Sequence, residues 1–257
     1  MEQPTEHKSS ANQFTFEIKT FAFKQGFEWL GQGFDLFKKN ALWWVIGYMA
    51  YLGGMMLLSF IPYIGSLIAS VLASGIYVVA QQRDQDQPFD LMAVLNSLKH
   101  SALPLGVLCI INSIVAMAIF YPIVGESAQP LFSETPPTPE QLSEFMYNTL
   151  IGLCVYLIPA MAFIFSPIIV VLHSQVSAYQ AMVFSFKACI LNTMPLTAFG
   201  LVFAALFFIS FIPLGLGLLI VLPITICSLY VAHKDIFCAQ GATSLSDKPS
   251  RDDVMSA

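Results

Sequence analysis

Hydrophobic residues in this chain fall into four long blocks, with the polar residues gathered between them. A helix rises about 1.5 Å per residue, so about 20 apolar residues cross the roughly 30 Å hydrocarbon core of a bilayer. The block from Ala41 to Ala80 carries no charge and is about twice as long as one crossing needs, with Pro62 and Gly65 near its middle. That pattern predicts a hairpin of two spans. The blocks from Ala102 to Val124 and from Tyr147 to Leu172 each fit one span, the latter with Pro159 and Pro167 as expected kinks. The block from Pro195 to Ala232 again fits two, with Pro213 and Gly215 at its turn. The expected fold is all-α, a polytopic membrane protein with six transmembrane helices. Charge alone leaves open whether the two hairpins cross fully or re-enter. Crossing is favoured, because a lipid-exposed re-entrant turn leaves backbone groups unsatisfied.

A short amphipathic stretch precedes each pair of spans. Phe27, Leu30, Phe34 and Phe37 recur at helical spacing opposite Glu28, Gln32, Asp35 and Lys38, and Tyr179, Met182, Val183, Phe186 and Ile190 do so opposite Gln180 and Lys187. A middle copy runs through Leu91, Met92, Leu95 and Leu98 and ends at Lys99 and His100. Each is expected to lie flat at the membrane interface. The outer copies also match residue for residue. Ser59-Phe60-Ile61-Pro62 recurs as Ser210-Phe211-Ile212-Pro213, and Arg83-Asp84 recurs as Lys234-Asp235, all at an offset of 151; Phe34 and Asn40 pair with Phe186 and Asn192 at 152. The chain thus reads as three parallel repeats of interfacial helix plus helical hairpin, about 27–84, 89–173 and 177–235, related by an axis along the membrane normal.

Composition agrees with a chain dissolved in lipid. Of its 257 residues 56% are hydrophobic and 11% charged, which leaves too few charges to cover a soluble globule. All eleven Lys and Arg residues fall on one side of the predicted spans, while the loop from Gly125 to Phe145 has only glutamates as charges. The positive-inside rule then places both termini in the cytoplasm. Residues 1–40 are polar and mixed in charge, so no cleavable signal peptide is expected and the first span stays as an anchor. The chain divides into a cytoplasmic segment 1–26, a transmembrane domain 27–237 and a tail 238–257 of disordered composition. Phe14, Phe16 and Ile18 alternate with polar residues like a short strand that packs against the cytoplasmic face.

Chemistry-bearing motifs are absent. The five cysteines are too far apart for a zinc spacing, and no ionisable group lies deep within a span, where proton relays and intramembrane enzymes need one. No catalytic residue, cofactor site or metal site is assigned, and no enzyme activity or nucleic-acid partner is expected. The candidates are structural. Ser66, Ser70 and Ser74 recur every fourth residue and, with Gly200 and Ala204, are candidate helix-packing seams. Asn112 is the carboxamide well inside a span, read either as an interhelical hydrogen bond or as an ion ligand, the former favoured. His173 and His233 sit at span ends in structural roles, and Trp43 and Trp44 look like interface anchors.

Several short motifs carry a resemblance: Trp29-Leu30 with Gly33-Phe34, Phe165-Ser166-Pro167, Ser185-Phe186-Lys187-Ala188-Cys189, Pro213-Leu214-Gly215-Leu216-Gly217 and Lys234-Asp235-Ile236-Phe237. On these the chain resembles an uncharacterised family of multi-pass bacterial inner-membrane proteins. The resemblance implies a location in the bacterial cytoplasmic membrane and no activity. Two function classes stand: a non-catalytic membrane component that binds lipid, other membrane proteins or a second copy of itself, and, as the alternative, an uncoupled transporter or permease for a neutral or amphiphilic solute.

Overall fold

The structure, a computed structural model, describes residues 16–61 and 64–239. A strand β1 (Phe16–Ile18) leads into helices α1 (Gln25–Lys38), α2 (Ala41–Leu58), α3 (Ile64–Asp84), α4 (Leu91–Ala128) and α5 (Pro139–Ile164). Then follow α6 (Ser166–Leu172), α7 (Ala178–Leu191), α8 (Thr193–Ile209), α9 (Leu218–Ile236) and a strand β2 (Phe237–Ala239). The fold is all-α apart from β1 and β2, which pair antiparallel with Ile18 opposite Phe237. Among the described residues four stretches are long and apolar enough to cross a membrane: α2, α4 with the 3-10 turn that extends it to Phe132, α5 with α6, and α9. The pair α7 and α8, bent by 88°, reaches that length and hydropathy only when the two helices are taken together, as a broken span or a re-entrant loop.

Local chemistry sets the helix starts. Asp90 caps α4 by accepting from the Met92 and Ala93 amides at 2.8 and 3.2 Å. Reciprocal capping boxes open α5, between Thr138 and Gln141, and α7, between Ser177 and Gln180. These caps move two expected boundaries. The segment expected as a loop from Gly125 to Phe145 is largely helical, since α4 runs to Ala128 and the Thr138 cap starts α5 eight residues before Tyr147. The middle amphipathic stretch is not a separate flat helix: Leu91–Lys99 continue into the span as one 38-residue helix, with Pro104 inside it. The strand takes up Cys238 and Ala239, so the expected tail begins later; residues 240–257, and Phe14, lie outside the described residues.

The buried core sits at the basic end of the bundle and not midway along the spans. Trp29, Phe165, Ile168, Ile169 and Ile236 are fully buried there, whereas Met117, Leu157 and Phe208 on the spans are exposed. This distribution is that of a lipid-facing bundle. α1 packs on α8 and α9, α3 on α4, and α7 on α5 and α6.

The amphipathic helices bury their small residues. On α1, Gly26, Trp29, Gly33 and Leu36 face the bundle, while Phe27 and Phe34 of the apolar stripe are exposed. On α7, Ala181, Ser185 and Ala188 are buried while Tyr179 and Ile190 are exposed. The reason is steric: a Cβ on Gly33 would meet the Ser228 backbone of α9 at 2.6 Å, so the backbones touch only where no side chain intervenes. Gly33→Ala should therefore lower the detergent melting temperature, with an overpacking cost of about 1–3 kcal/mol. Gly31→Ala, where a Cβ meets nothing within 4 Å, should leave it unchanged. Equal melting of the two variants would contradict this packing.

Candidate functional site, an apolar cleft beside a hydroxyl-lined chamber

Helix α2 touches α3 and α9, yet of its side chains only that of Trp44 is buried. The space left between α2, α3 and the first turns of α4 is a cleft of about 600 Å³. Its walls include Trp44 and Gly47 of α2, Ile76 and Val79 of α3, and Leu95 and Leu98 of α4. Polar groups line it at the basic end, where Asn40 precedes α2 and Arg83 lies in the last turn of α3. The two carboxylates next to Arg83 are already engaged: Asp84 accepts from Lys234 Nζ at 2.6 Å and Asp86 from Lys39 Nζ at 2.7 Å. Arg83 itself donates to the Gln87 carbonyl at 3.5 Å, so its charge is not neutralised by a close carboxylate among the described residues. The Trp44 indole N–H is buried with no hydrogen-bond partner among them.

A second cavity, of about 410 Å³, adjoins the first and shares Tyr48, Ile76 and Ile226 with it. Its lining includes six hydroxyl-bearing residues, Tyr48 and Tyr51 on α2, Ser70, Ser74 and Tyr77 on α3, and Thr225 on α9.

The candidates read from sequence spread over several places. Ser70 Oγ lies 3.3 Å from Cys109 Sγ on α4 and Ser74 Oγ donates to the Ser70 carbonyl, so both sit on the inner side of α3; the side chain of Ser66 is outside the described residues. Next to them Gly75, unremarked in the sequence, brings α3 against Val94 and Leu98, which a Cβ would meet at 3.1 and 3.0 Å. Gly200 forms no seam within the chain, since a Cβ there would meet nothing within 4 Å, and Ala204 is only half-buried. Asn112 accepts from the Tyr156 hydroxyl of α5 at 2.6 Å, an interhelical hydrogen bond. Pro159 lies inside unbroken α5, whereas Pro167 lies in the first turn of α6, just past the break at Phe165. Leu214 and Gly215 take positive φ values of 56° and 84° in the turn after Pro213; Gly65 abuts the Leu58 carbonyl at the turn into α3, and Pro62 is outside the described residues.

The charge pairs picked out by the repeat hold tertiary bonds. Asp84 also accepts from the Tyr230 hydroxyl at 3.1 Å, and Asp235 accepts from the Trp29 indole at 2.9 Å and the Gln25 amide at 3.3 Å. The His173 and His233 rings lie 5.6 Å apart, beside Phe16 and Phe237. Burial holds His173 below the ordinary imidazole pKa, so the unfolded chain takes up that proton first and the packing weakens as pH falls through the ordinary value.

The chain is 28% identical over 270 aligned positions to a probable inner membrane protein of Burkholderia thailandensis, covering 89% of this chain and 97% of that one. The expected resemblance to an uncharacterised inner-membrane protein is met by this relative. No protein family profile matches the chain, and no solved structure does.

Asn192 and Asn40, equivalent by offset, differ in their bonding. Asn192 is fully buried at the α7–α8 bend, where it accepts from the Phe21 amide at 2.9 Å and donates to the Lys19 and Ala188 carbonyls at 2.9 and 3.1 Å. Asn40 makes no side-chain cap. Asn192→Leu should cost about 3 kcal/mol by stranding buried backbone groups, and Asn40→Leu should change stability by less than about 0.5 kcal/mol. Comparable losses in thermal unfolding would show that the bend does not depend on Asn192.

Proposed function

We propose that this protein is a non-catalytic, lipid-binding component of the bacterial inner membrane. The cleft between α2, α3 and α4 carries this reading. It is an apolar trough of about 600 Å³, within the roughly 300–1,000 Å³ of ligand sites, with an uncompensated Arg83 at its basic end. An acyl chain matches the trough. The name of the Burkholderia thailandensis relative supports the membrane assignment. Ionisable groups cluster at the ends of the spans, which favours binding over catalysis.

In this reading α2, α3, α4, α5, α8 and α9 all cross the bilayer, as three units. The 17 residues of α8 reach the lower limit for a span, at about 26 Å. Two observations support the units. Ser59 and Ser210, which open the repeated turns, share φ −63° and ψ −20° at the ends of α2 and α8. The contacts also permute in order: α1 packs on α9, the start of α4 on α3, and α7 on α5 and α6, so each unit's leading segment rests on the preceding unit.

Lipid retention tests the function. Native mass spectrometry of protein purified in mild detergent should find phospholipid retained by the wild type and largely lost from Gly47→Phe. This variant fills the cleft at a position with free space around the glycine. Undiminished retention would refute the cleft as the lipid site. For topology, a periplasm-active reporter fused after Thr138 should be active and one at the C-terminus silent; the reverse pattern would invert the orientation.

A further inference from the structure

The chamber beside the cleft has a different chemistry from the cleft. Six hydroxyl-bearing residues line it and no charged side chain does. Neither the Tyr48 nor the Tyr77 hydroxyl has a hydrogen-bond partner among the described residues, and neither is among the buried unsatisfied groups, so both stay open to a ligand. Ser74 and Thr225 donate to carbonyls of their own helices, to Ser70 at 3.1 Å and Val221 at 2.8 Å, which leaves their oxygens free to accept. Donors on Tyr48 and Tyr77 thus share one space with acceptors on Ser74 and Thr225.

Position adds a second argument. The lining residues come from the middle turns of α2, α3 and α9 and from Pro167, just past the break between α5 and α6. A helix break beside a polar cavity is a setting in which membrane proteins build solute sites, because freed backbone is tolerated only beside protein or a polar cavity. The absence of a charged lining group selects against ions, which would enter a low-dielectric space with no counter-charge.

We propose that the chamber binds a small, uncharged, hydroxyl-bearing solute of the polyol class, with Tyr48 and Tyr77 donating to it and Ser74 and Thr225 accepting from it. The chamber shares Tyr48 with the neighbouring cleft, whereas Tyr77, Ser74 and Thr225 line the chamber and not the cleft, so Tyr77→Phe tests the solute site apart from the lipid site.

Saturation-transfer NMR on the full chain in detergent micelles tests this, with glycerol, erythritol and xylitol as probes. The wild type should transfer saturably to at least one of them. Thr225→Trp, which fills the chamber, should abolish transfer, and Tyr77→Phe, which keeps the shape and removes one hydroxyl, should weaken it about fivefold. If Thr225→Trp fails to fold, Tyr77→Phe decides. Absence of saturable transfer to all three probes would mean that the chamber holds water only, and wild-type transfer in Tyr77→Phe would remove the assigned donor; either result overturns the proposal.

Discussion

The last two turns of α9 are where the structure is tied together. Asp235 receives the Trp29 indole and the Gln25 amide of α1, Lys234 and Tyr230 converge on Asp84 of α3, and the Ile236 carbonyl accepts from the Lys19 amide beside β1. These bonds matter because lipid tails are as apolar as leucine, so the spans gain little free energy by burying one another. Directional polar contacts at the basic end, together with the packed core around Trp29 and Phe165, supply the specificity that the spans cannot. Loss of the Asp84 or Asp235 carboxylate would therefore loosen several elements at once.

Close backbone approach is the second source of cohesion. Gly26 meets α8, Gly33 meets Ser228 of α9, Gly75 meets Val94 and Leu98 of α4, and Gly152 meets Phe120. At each point a small residue lets dispersion contacts form across a short interaxial distance. The same geometry accounts for the outward Phe27 and Phe34: a bulky ring toward α9 would hold α1 off and separate the Trp29 indole from Asp235. Where small residues do not meet a neighbour, as along α2, the helices part and the two cavities open.

The cavities therefore follow from how the fold is held. A bundle fastened at its basic end and loose along α2 leaves room between α2, α3 and α4, and the side chains facing that room divide it into an apolar trough under Arg83 and a hydroxyl-lined chamber deeper in. The proposed lipid and solute sites are adjacent but chemically distinct, so ligands for one are poor ligands for the other.

The all-α class, the apolar helices and the strand character of Phe16 and Ile18 were legible in the sequence, because the length of an apolar block and the period of its pattern are local quantities. What the sequence could not yield depends on partners distant along the chain. Nothing local marks Asp235 as the acceptor for Trp29, 206 residues away, or Gly75 as a tighter seam residue than Gly200. The capping boxes at Thr138 and Ser177 were readable and would have corrected the loop boundary, since the signal lies within four residues. The cleft and the chamber were not readable at all. A cavity is set by where several helices fail to touch, and only the tertiary packing of α2, α3, α4 and α9 decides that.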